Sequence, residues 1–180
     1  MTLDLMADKA VPLNVLAAVW VAAVACVVDL RTRRVPNALT FGAAAVALVA
    51  RIAGGGASGA LDAVFGWSVG VALLLVPYAL GGMGAGDVKL LAALGAWLGP
   101  GETVWLGVYT NIAAGVIALA VAARHRYLRQ AWSNLWLMVV HWRVVGLRPV
   151  TDVTLATARG PRLAYAAPIL VGMLVTLWRH

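Results

Sequence analysis

Apolar runs of bilayer length recur along the chain, near residues 11 to 28, 37 to 53, 60 to 80, 88 to 99, 103 to 123 and 162 to 178. A helix needs about 20 apolar residues to cross a hydrocarbon core about 30 Å thick, and it satisfies its backbone polar groups internally, as lipid demands. The pattern predicts an all-α membrane protein: a polytopic bundle of about six transmembrane helices in a single domain over residues 1–180. Composition agrees. Hydrophobic residues make up 63% and charged residues 12%, against about 25% charged in a typical soluble domain.

A net charge of +7 raises the question of nucleic acid, and the distribution of the charges answers it. With the six runs as spans, one side holds Arg31, Arg33, Arg34, Lys89, Arg124, Arg126, Arg129, Arg143, Arg148, Arg159 and Arg162, and the other only Lys9, Arg51 and Arg179. That asymmetry marks the first side as cytoplasmic and sends both termini outside. The basic excess reports orientation, with no nucleic-acid partner. Cys26 is the single cysteine, so an internal disulfide and a Cys-x-x-Cys metal site are excluded. His125, His141 and His180 show no metal-ligand spacing, so neither a metal nor a cofactor is inferred.

Acidic residues are scarce, which makes two of them informative: Asp29 in VVDLRTRRVPNALT and Asp87 in GGMGAGDVKLLAALG. Each lies at the edge of an apolar run, where an ionisable group is costly and is a functional candidate by default. Two complete spans separate them, so they share the cytoplasmic side. Asp29 is expected to end the first helix and Asp87 to begin the fourth. The run from Val88 to Gly99 is short, roughly 18 Å at 1.5 Å per residue, which would leave Asp87 recessed below the membrane surface. The glycines before it, Gly81, Gly82, Gly84 and Gly86, would form irregular backbone at membrane depth, tolerated where it is buried or lines a watery cavity.

Two adjacent carboxyls that share one proton can hydrolyse an amide, one as base toward water and the other as acid toward the carbonyl oxygen. Like charges so close titrate as a coupled pair. Gly84 and Gly86 would let the backbone approach closely and carry an extended substrate. The constellation points to a GxGD-type intramembrane aspartic protease. Simpler roles stand beside it: Asp87 as the N-cap of an apolar helix, and Asp29 as an interfacial carboxylate among arginines. Asp62, Glu102 and Asp152 read as solvated, and the GxxxG of Gly66 and Gly70 reads as helix packing.

The Asp29 segment, an aspartate followed by a basic loop, Pro36-Asn37 and an apolar helix, resembles the first catalytic motif of type IV prepilin peptidases. The stretch from Gly84 to Leu91, GAGDVKLL, resembles the second, of the form GxGDxKLL. The chain is similar in length to the short peptidase-only branch that serves tight-adherence (Flp) pili. The resemblance implies Asp29 and Asp87 as the catalytic pair, with Lys89, Asn37 and Pro36 as local support. It implies prepilin or pseudopilin substrates that lose a short leader at the cytoplasmic face of the bacterial inner membrane. Pilus or type II-like secretion assembly proteins would be the partners. Larger members also methylate and carry paired cysteines; this chain lacks those cysteines, so cleavage without methyl transfer is expected.

Near the C-terminus the family's Pro-Tyr-x-Pro-Ala-Ile pattern is matched only in part by Ala164-Tyr165-Ala166-Ala167-Pro168-Ile169, which weakens any role carried over to the last helix. Between residues 124 and 161 a basic cytoplasmic loop carries Trp132, Leu135, Trp136 and Val139 at helical spacing. This reads as an interfacial helix on the bilayer, with a docking site for substrate or a secretion partner as the alternative. Other functions also fit two membrane carboxylates: a proton-coupled transporter, or a non-catalytic assembly component.

Overall fold

In the computed structural model, residues 12–126, 128–146 and 164–179 are described. They form six helices: α1 (Leu13–Thr32), α2 (Asn37–Ala79), α3 (Ala85–Leu98), α4 (Pro100–Arg124), α5 (Leu128–Val145) and α6 (Ala166–Trp178). Among the described residues there is no strand. Helices α1, α2 and α4 are long and apolar enough to cross a membrane, and α6 is a shorter apolar helix. Many large apolar side chains point outward, among them Leu13, Trp20, Val49 and Leu119. In water such a surface would drive aggregation, whereas toward lipid tails it costs nothing. The molecule is an all-α membrane protein.

The runs 37 to 53 and 60 to 80 lie in one element of 43 residues, broken at Gly56, where φ is 58° and ψ −135°. That conformation is open essentially to glycine alone. A straight helix of this length would extend about 65 Å, twice a hydrocarbon core; the break folds it into two side-by-side arms. Gly59 is pressed against the carbonyl of Arg51 at the bend. Further along, Phe41, Ala44 and Leu48 of the first arm share a groove with Ala63, Val64 and Trp67 of the second.

Helix α3 is the axis of the bundle. From Leu90 to Gly99 every residue is buried, with α2 packed on it most extensively and α1, α4 and α6 closing the other sides. Small residues make this possible, as the GxxxG reading expects. A methyl on Gly70 would lie 2.6 Å from Ala92 Cα, and one on Gly66 would lie 2.9 Å from Gly99 Cα and strike the Gly95 carbonyl. Such contact between helix backbones is how bundles cohere without a hydrophobic gradient. Gly99, at φ 84°, turns α3 directly into α4, whose first residue is Pro100.

Helix ends differ from the sequence reading in detail. α1 continues a turn past Asp29, to Thr32, and stops at Arg33 in the left-handed conformation (φ 56°). α3 begins at Ala85 and ends at Leu98, so Gly86 is helical, and the irregular stretch covers only residues 80 to 84. Glu102 is not simply solvated: its carboxylate lies 3.5 Å from Arg179. Of the loop from 124 to 161 the described residues form α5 and its approach; Asp152 lies outside the described residues.

Candidate active site

Asp29 lies on the inward face of α1 because the apolar stripe leads to it. Val15, Ala18, Ala22 and Ala25 are buried at alternating steps of three and four, the spacing of one helix face, and the next position in that series is Asp29. The carboxyl is thus carried into the bundle, with only 6% of the residue exposed. Cys26 sits one turn earlier on the same face, also buried.

Asp87 is held from the other direction. It occupies the third residue of α3, and the N-cap is Gly84, not Asp87; its carboxylate oxygen accepts a hydrogen bond from the Gly84 N–H at 3.1 Å. This is half a capping box, since Gly84 has no side chain to return the bond. The interaction also aligns a negative charge with the positive end of the helix. The N-cap reading therefore becomes a first-turn role, and it leaves the second carboxylate oxygen free of that bond.

The two segments meet through the turn that follows α1. A methyl on Gly86 would lie 3.3 Å from Val35 Cβ, so the glycine admits the turn against the first coil of α3. Pro36 caps α2, its carbonyl accepting from Leu39 and Thr40. Asn37 Oδ1 then accepts a 2.9 Å hydrogen bond from Lys89 Nζ, whose ammonium also stands 5.4 Å from the Phe41 ring centre, within cation–π range. Asp29, Pro36, Asn37, Gly84, Gly86, Asp87 and Lys89 thus gather at one end of the bundle.

A residue that the partial C-terminal match weakened also arrives here. Tyr165 stands just ahead of α6, and its hydroxyl lies 3.5 Å from Asn111 Oδ1, a long contact. Asn111 Nδ2 donates to the Gly107 carbonyl at 2.8 Å, which aims the amide oxygen toward the tyrosine. Asn111 was visible in the sequence as the one amide in the apolar run 103 to 123, a polar group that lipid penalises. Among the described residues no three His, Cys, Asp or Glu side chains converge to hold a metal.

Depth follows from the chain's own ruler. Asp87 and Asn111 each lie twelve residues from Gly99, up α3 and α4 respectively, so both stand roughly 18 Å above that turn. α4 continues to Arg124, about 20 Å further. Asp87 is recessed well below the end of α4.

The fold and this grouping define a helical membrane protein that brings the Asp29 and Asp87 segments together at one end of its bundle. The sequence profile of the type IV leader peptidase family matches residues 16–123. That match takes in most of the chain together with both aspartate segments, and the chain belongs to this family. It is a peptidase of the prepilin-processing type in general, working at a membrane. No curated protein and no solved structure gives a match.

Proposed function

We propose that the chain is a GxGD aspartic endopeptidase that removes the short N-terminal leader of prepilins or pseudopilins at the cytoplasmic face of the bacterial inner membrane. The observation that carries this reading is that the turn after α1 packs on the first coil of α3, through Val35 against Gly86 and Asn37 bonded to Lys89, which brings Asp29 and Asp87 to the same end of the bundle. The ionised carboxyl takes a proton from water, and the water oxygen bonds to the scissile carbonyl carbon. The protonated partner gives its proton to the carbonyl oxygen. Collapse of the tetrahedral species breaks the C–N bond, with a proton returned to the leaving amine. Cleavage proceeds without methyl transfer.

In this reading the chain crosses six times, the two arms of α2 counted separately, with both termini outside and the dyad on the basic, cytoplasmic side. α3, at 14 residues, reaches roughly 21 Å through a core about 30 Å thick, which supports a watery depression above Asp87. Co-expression with a prepilin from the same genome tests the reading. Wild type is expected to shorten the substrate by its leader on gel and by mass, while Asp29→Asn and Asp87→Asn, at unchanged protein level, each leave it intact. Cleavage surviving both substitutions would overturn the dyad; intact prepilins with wild type would move proton transport or assembly to the front.

A further inference from the structure

Where α4 ends the chain turns through His125 and Arg126, the latter at φ 57°, and enters α5. The elbow encloses an open cavity of about 490 Å³ lined by His125, Arg126, Arg129, Gln130 and Ser133. Every one of these side chains can donate a hydrogen bond, and the two arginines are permanently cationic. No acidic residue occurs in the sequence from 103 to 151. The cavity is built to receive an anion.

Helix α5 supplies a second, independent observation. Among the described elements it touches only α4, and Trp132 (74% exposed), Leu135, Trp136 (66%) and Val139 lie bare along one of its faces. Among the described residues no other element covers that stripe. Tryptophan beside arginine on an amphipathic helix is the composition of the headgroup layer, where indole rings and guanidinium groups both find partners. The height agrees. α4 has 25 residues and rises roughly 37 Å from the Gly99 turn, past a core about 30 Å thick and into the polar zone.

We propose that the α4–α5 elbow is a binding site for the phosphate of an anionic membrane phospholipid, held by Arg126 and Arg129 while the Trp132–Trp136 face rests among the upper acyl carbons. The guanidinium forks match phosphate oxygens, and the acyl chains hang beside the apolar stripe. A protein partner would have to supply an acidic surface and cover the tryptophans together. A single lipid meets both chemistries.

Native mass spectrometry of the purified full chain, titrated with phosphatidylglycerol or with phosphatidylcholine of the same acyl length, reads the site without any substrate. A chain that cleaved nothing would still report on it. Wild type is expected to retain phosphatidylglycerol in preference to phosphatidylcholine. Each arginine near an anionic headgroup is worth about fivefold in binding, so Arg126→Gln with Arg129→Gln should weaken phosphatidylglycerol roughly 25-fold and leave phosphatidylcholine unchanged. Arg126→Lys with Arg129→Lys should keep most of the preference, and the helical circular dichroism of all three should agree. Equal retention of the two lipids by wild type, or undiminished phosphatidylglycerol on the glutamine variant, would overturn the site and leave its charge to an acidic protein. Displacement of the lipid by equimolar inorganic phosphate would overturn it as well, since the acyl chains would then contribute nothing.

Discussion

Lys89 reaches across 52 positions of chain to Asn37, and this bond ties the turn after Asp29 to the helix that bears Asp87. Because the pair is exposed, its net contribution to stability is about 1 kcal/mol or less. Its effect on geometry is larger than its energy suggests. Lys89→Met is expected to leave the melting temperature in detergent nearly unchanged and to lower kcat/KM by roughly fivefold, the rate equivalent of about 1 kcal/mol of lost positioning. Under the proposed dyad, activity should follow a bell-shaped pH profile. It falls at low pH, where both carboxyls are protonated and no base remains, and at high pH, where both ionise and no acid remains. A profile flat across both limbs would speak against a shared proton. The two aspartates were visible as costly charges at the ends of apolar runs, and Lys89, Asn37 and Pro36 as neighbours in the same motifs. The Lys89–Asn37 bond itself, and the approach of Asn111 and Tyr165, were not readable, since contacts between distant segments leave no periodic trace in a sequence.

Helices were the easiest part to read, because a bilayer imposes a length that runs of apolar residues either meet or miss. Their ends were harder. Glycine carries almost no signal for where a helix starts, so the coil at Gly84 and the first turn at Gly86 looked alike, and Asp87 was displaced from cap to third residue. The bend at Gly56 was equally hidden: three consecutive glycines, Gly54 to Gly56, marked a boundary, but only the folded hairpin selects the one with positive φ. Packing between α2 and α3 rests on the glycines at 66 and 70. Gly66→Ala pushes a methyl into the backbone of Gly95 and Gly99, which cannot yield as a side chain would. The expected loss is about 1–3 kcal/mol, seen as a lower midpoint of thermal unfolding in detergent. Gly42→Ala, where a methyl meets nothing within 4 Å, should be neutral or slightly stabilising by the same assay.

At the level of the bundle, the positive-inside count predicts an orientation that reporter fusions can check. Under the proposed orientation, an alkaline phosphatase joined after Trp178 should be active and one joined within the turn at Arg33–Arg34 should be silent. The reverse pattern would put the carboxyls on the wrong face for a leader that is still cytoplasmic when it is cut. Burial also divides the molecule in an unusual way: α1, α4 and both arms of α2 each offer one side to lipid, whereas α3, apart from its first turn and Lys89, offers none. A helix that never meets lipid gains no energy from the bilayer once folded; its free energy comes entirely from neighbours that must already be in position. The segment bearing Asp87 should therefore be the last to lock during biogenesis. A chain caught before α4 and α6 have docked would hold the proposed catalytic carboxyl idle, which delays the appearance of proteolytic competence until insertion is complete.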